Sequence, residues 1–84
     1  MIYYVALPFT RTEDALVPGP AVECPHRVAA IQRARALSSD KANAGAVAFS
    51  RQGNPDGGEF EDAVILKAFG EVPDEFGSSA GGEE

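Results

Sequence analysis

Cys24-Pro25-His26 is the one place in this chain where a thiol and an imidazole lie together, because the sequence holds a single cysteine and a single histidine. A thiol at a helix N-terminus is held toward the thiolate, the form that acts as nucleophile or redox group. The plainer reading is a small, partly buried helix cap followed by a surface histidine. Cys24 and His26 are therefore the candidate ligand-binding residues, in a pocket between a sheet and the preceding loop. A zinc centre needs about four ligands. One Cys, one His and scattered carboxylates do not supply them, so neither a metal site nor a cofactor is expected.

Asn54, Asp56, Glu59, Glu61 and Asp62 gather around Gly57-Gly58 and offer oxygen atoms suited to a hard cation. Their spacing lacks the alternating ligands and the closing glutamate of a helix-flanked calcium loop, which favours a solvated hairpin loop. Gly53, Gly57 and Gly58 are not followed by the Lys-Ser/Thr pair of a phosphate-binding loop. Ser38-Ser39 has no adjacent base motif and reads as structural. No catalytic residue is assigned, and no motif names a reaction.

Charge is distributed unevenly along the 84 residues, whose formal net charge is −6. Residues 1–55 carry six bases against four acids, whereas residues 56–84 carry nine acids against Lys67 alone. An acidic surface repels phosphate backbones, so nucleic-acid binding would have to use a gathered basic face. Arg27, Arg33, Arg35 and Lys41 form such a flank on a single helix. A solvated face explains it most simply; an acidic partner, such as the 56–84 segment of another copy, is the functional alternative.

The elements that must position these residues follow from patterning. Residues 2–9, rich in Tyr, Ile, Val, Leu and Phe, favour a strand, with Pro8 near its end or at an edge. Val17-Pro-Gly-Pro20 suits a turn, making residues 10–23 a connecting loop with an extended stretch before Cys24. Pro25 fits the first helical position, so a helix is expected over 25–41 with Cys24 as its cap. Val28, Ile31, Ala34 and Leu37, with Ala30, are expected to form its apolar stripe. Asn43 or Gly45 should close it in a left-handed conformation, with Lys41 in the last turn.

Two more strands are expected at about 45–52 and 62–69, joined by a loop dense in Gly, Pro, Asn and Asp. The last is apolar on both faces, which predicts a central position. The expected fold is α+β: a β-α-β-β chain with a three-stranded sheet of order 1-3-2, its first two strands parallel through a helical crossover. One helix covers one face. Residues 1–73 form one small domain, burying roughly 60 to 65% of its unfolded surface, and residues 74–84 read as a disordered acidic tail.

Taken together, Glu23-Cys-Pro25, the alanine-rich helix with Arg33-Ala-Arg35, Gly45-Ala-Val-Ala-Phe-Ser-Arg51 and Val64-Ile-Leu-Lys-Ala-Phe-Gly-Glu-Val-Pro73 resemble a group of short uncharacterised single-domain proteins from alphaproteobacteria. The resemblance spans about residues 2–74 and implies no activity, cofactor or site residue.

A single cysteine forms no internal disulfide, and Met1–Phe9 lacks the basic start of a signal peptide. No run approaches the ~20 apolar residues of a membrane span. A cytoplasmic protein without membrane partners is expected. The leading functional expectation is a protein–protein interaction module, a homodimer or adaptor, using the helix-free sheet face, with Tyr3, Phe49, Ile65, Phe69 and Arg33 as its surface. A ligand-binding or catalytic domain near Cys24 and His26 is the alternative, and nucleic-acid binding through the basic helix the third.

Overall fold

The protein, described here by a computed structural model, is followed over residues 1–54, 59–60, 62–74 and 76. Its first strand, β1 (Ile2–Arg11), is apolar on both faces, with Tyr3, Val5, Leu7 and Phe9 alternating with Tyr4, Ala6 and Pro8. Such a strand needs cover above and below. The chain then doubles back, and β2 (Leu16–Pro18) and β3 (Val22–Cys24) both pair antiparallel with one edge of β1. Helix α1 (Arg27–Ser39) crosses one face and delivers the chain to β4 (Gly45–Asn54). That strand pairs antiparallel with the other edge of β1, from Ile2↔Gln52 to Phe9↔Gly45. On the far side of β4 lie β5 (Glu59–Phe60) and β6 (Val64–Gly70).

The described fold is α+β, one helix against an antiparallel sheet, but the sheet is larger than three strands and its order differs. β1 and β4, expected to be parallel, are direct antiparallel neighbours. A helical crossover between parallel strands does exist, from β3 to β4, and β1 is the strand that lies between them. The strand that inserts is thus the first, not the last. β6 occupies the edge expected to be central. An apolar pattern on both faces reports cover above and below a strand and says nothing of its lateral neighbours.

Pro8 explains why the returning segment is two short strands instead of one. Its carbonyl accepts a 2.9 Å bond from the Gly19 N–H. The ring nitrogen faces the same edge and has no proton to offer, so the ladder breaks between Pro18 and Val22. Proline therefore sits inside β1, not at its end.

The helix begins two residues later than expected. His26, not Cys24, is the cap: its Nδ1 accepts the Ala29 N–H at 3.2 Å and its carbonyl accepts the Ala30 N–H at 3.1 Å. At the other end Asp40 is extended, and the Asn43 side-chain amide donates to the Leu37 carbonyl at 2.9 Å. Neither Asn43 nor Gly45 adopts a left-handed conformation; Gly70, at φ 69°, is the one described residue that does. Lys41 lies beyond the last turn.

The buried stripe of α1 is Ala30 and Ala34, with Leu37 packed beside them, and Val28 is 54% exposed. Steps of three residues fall short of a turn by about 60° each, so Val28 and Leu37 lie about 180° apart around the helix. The 4-3 spacing of Ala30, Ala34 and Leu37 keeps one face. Against it pack Ala6, Ala46, Ala48 and Cys24, flanked by Tyr4, Val22, Leu66 and Phe69. With alanine at nearly every contact the helix lies close on the sheet, a packing that leaves little room for larger side chains.

Beyond β6 the chain turns back over the opposite face of the sheet. The Arg11 guanidinium pairs with the Glu71 carboxylate, and the Glu71 N–H donates to the Ala44 carbonyl at 3.0 Å. Phe76, inside the segment expected as a tail, packs on Phe9 with ring centroids 5.5 Å apart. Residues 75 and 77–84 lie outside the described residues.

Candidate functional site

The two faces of the sheet present different chemistry. Cys24 ends β3 on the helix side, where its side chain is buried and its thiol lies 3.6 Å from the Val22 carbonyl. His26 is exposed, and its Nδ1 is already engaged in capping. The helix layer thus uses Cys24 as a small core residue and His26 as a cap. Native-state alkylation checks this directly. Iodoacetamide should leave Cys24 unmodified until the protein is unfolded; modification at the rate of a free thiol would overturn the burial.

Cation chemistry finds little support. Among the described residues no group of three or more His, Cys, Asp and Glu side chains could hold a metal. The candidate calcium cluster around residues 54–62 falls mostly outside the described residues.

The helix-free face is built by strand register. Cross-strand partners share a face, so one row runs Glu23, Val5, Phe49, Ile65 across β3, β1, β4 and β6. The next row holds Tyr3 opposite Arg51, and the row on the other side holds Leu7, Val47 and Ala68. Tyr3, Val5, Ala21, Glu23, Phe49 and Arg51 line a broad open depression of about 490 Å³. Tyr3, Val5, Phe49 and Ile65 are half-buried, while Glu23 and Arg51 at its margins are exposed.

Cover on this face is partial. Phe9 and Val47 are 2% and 0% exposed although α1 lies on the other side. Phe76, stacked at an angle on Phe9, closes that end of the face. Among the described residues no helix or strand lies over the end bearing Tyr3, Phe49 and Arg51.

Of the expected surface residues, the register brings Tyr3, Phe49 and Ile65 together and separates the other two. Phe69 pairs with Ala46 and packs in the helix-side core. Residues 65 and 69 would share a face in a regular strand, but the ladder shifts between Ala48 and Phe49, so that Ala48 meets Lys67 and Phe49 meets Ile65. One extra residue reverses the facing of everything beyond it. Arg33 is exposed on α1, in the other layer. With it lie Arg27 and Arg35, and α1 contains no acidic residue.

Val5, Ala21, Glu23 and Arg51 complete the depression and were not among the expected residues. The i, i+2 recurrence of Tyr3, Val5 and Leu7 is a signal for the first of these. Glu23 joins only because β3 returns along β1, for which a three-residue strand between prolines leaves almost no pattern.

The fold and site define a small α+β domain with a sheet covered on one face by a helix and, among the described residues, at one end on the other. Comparison with known protein families, curated proteins and solved structures finds no match to this chain. Among the described residues no helix is long and apolar enough to cross a membrane.

Proposed function

We propose that this chain is a protein–protein interaction module whose helix-free sheet face docks a partner protein. The observation that carries the reading is the joined row Val5, Phe49, Ile65 with Tyr3 beside it, apolar, half-exposed and left uncovered by both α1 and Phe76. A contiguous apolar patch of this kind is costly to leave in water, at about 25 cal/mol per Å², and marks interaction surfaces. Aromatic side chains at its centre and charges at its margin match the usual division of an interface into apolar core and polar rim. A chain whose one cysteine forms no disulfide suits a reducing compartment, and the reading places it in the cytoplasm.

Site-specific photocross-linking in cells tests it. A benzophenone amino acid at Phe49 should give a protein adduct that is lost when Val5→Lys is added, while the same probe at Gln32 on the outer helix face should give none. No adduct at Phe49, or equal adducts at both positions, removes the reading.

A further inference from the structure

Among the described residues the sheet ends in β2 and β3 on one side and in β5 and β6 on the other. The outer edge of a strand offers backbone N–H and C=O groups to any other chain that can pair with them. The two edges are built differently. β2 and β3 are three residues each, with Pro18 ending the first and Pro20 between them, and proline has no N–H to offer. β6 runs seven residues without a proline, and among the described residues its ladder is with β4 alone. We propose that Lys67, at the centre of β6, keeps this edge of the sheet from pairing with β6 of a second copy.

Lys67 stands opposite Ala48, which is fully buried in the helix-side core. Cross-strand partners share a face, so Lys67 points toward the layer of α1 while remaining exposed at its margin. The register shift leaves Leu66 between the paired residues Ile65 and Lys67, and Leu66 packs against the same core. Phe69 takes that face too, and the Lys67 ammonium lies over its ring, 5.9 Å from the centroid. This is near the outer limit of about 6 Å for a cation on an aromatic face. An inward-directed charge on an edge strand is thus placed where an added strand would have to bury it. The rest of β6 is apolar or glycine, with Val64 60% exposed. Without its lysine the segment would have the composition of a pairing-prone edge.

The physical obstacle is the same in every register. When two copies of β6 pair antiparallel about a twofold axis through Lys67, the two lysines face each other directly, and like charges in that position are destabilising. In any other register each ammonium is set against apolar side chains of the neighbouring strand and loses water without gaining a partner. Repulsion between acidic copies does not account for this. The chain carries −6, and Lys67 is the sole base among residues 56–84, so its removal makes the net charge more negative. Charge repulsion alone would then weaken self-association, whereas loss of the edge charge strengthens it.

Three substitutions at one position decide the matter. Lys67 is exposed, so K67V, K67T and K67E should fold as the parent does, checked by circular dichroism. In sedimentation from about 1 μM to 1 mM, K67V should self-associate at least tenfold more tightly than the parent, and K67T should follow it. K67E, which keeps a charge at the edge, should match the parent. In the K67V assembly the outward-facing amides of β6 should exchange at least tenfold more slowly than in the monomer. K67V associating no more tightly than the parent overturns the proposal. So does association that leaves the β6 amides unchanged, because the contact then lies elsewhere. K67T behaving as the parent would assign the K67V effect to a new apolar surface, and K67E associating as K67V does would assign it to the lost contact with Phe69; either result overturns the role of the charge. The readout concerns the edge of the sheet, so it is independent of the adduct expected from the Phe49 probe on the face.

Discussion

Replacing Phe9 with alanine should destabilise the domain by about 3–5 kcal/mol, read as a lower urea midpoint with an unchanged slope. Phe9 is one of the two largest fully buried side chains described. It is buried on the face that lacks the helix, opposite Gly45 of the neighbouring strand and against the Phe76 ring. Truncating it removes a large apolar surface and leaves a cavity between a sheet and a short covering segment. A domain of 84 residues has a total stability of only about 4–12 kcal/mol, so this change takes a large part of it. Phe76→Ala should cost less, since Phe76 is half-buried, and the double variant should cost less than the sum because the two rings touch. A Phe9→Ala loss under about 1 kcal/mol would show that the covering segment does not hold this end of the face.

Gly45→Ala should be nearly as damaging, by roughly 3 kcal/mol, since overpacking is added to strained backbone hydrogen bonds. Gly45 opens β4 opposite Gly70 of β6. A Cβ at Gly45 would sit 2.2 Å from the Glu71 carbonyl oxygen and 2.5 Å from both the Glu71 nitrogen and the Phe69 carbonyl oxygen. These are backbone atoms, not the flexible end of a side chain, so the strand and the following turn would have to part. The Glu71–Ala44 bond would be the first to go, and with it the path that carries the chain toward Phe9. Thermal unfolding of Gly45→Ala beside a control such as Gly19→Ala, whose nearest neighbour would be the Pro8 ring at 3.2 Å, separates a tight backbone approach from a general effect of losing glycine. Equal losses at both positions would sink the explanation.

Much of the local structure was legible. The strands at 2–9, 45–52 and 62–69 and the helix between them follow from composition and punctuation, and all lie within or close to the elements described. The misreadings share a cause. A three-residue apolar spacing assigned Val28 to the core, whereas rotation by about 100° per residue puts it outside. An apolar pattern on both faces of 62–69 placed it centrally, whereas α1 and the edge of the sheet leave it at a margin. His26 caps α1 although histidine is not a preferred cap residue, and nothing in its spacing distinguishes it from Cys24.

For the candidate surface the division is sharper. Tyr3 and Phe49 could be assigned to a sheet face because alternation within one strand is a local property with period two. Phe69 could not. Its facing depends on the shift of register opposite Ala48, which arises from how β6 fits β4 and carries no mark in residues 64–70 themselves.

The amino-acid sequence by itself determined the element types, the uneven charge and the small alanine-dominated helix, because each rests on residue chemistry and short-range periodicity. Tertiary structure alone decided that β1 lies between β3 and β4, that Phe76 covers one end of the helix-free face, and that Glu23 and Arg51 flank the end bearing Tyr3 and Phe49. Those facts depend on which backbone edges pair and in what register, and pairing between residues 36 or more apart in the chain, as between β1 and β4, leaves no local trace in either partner.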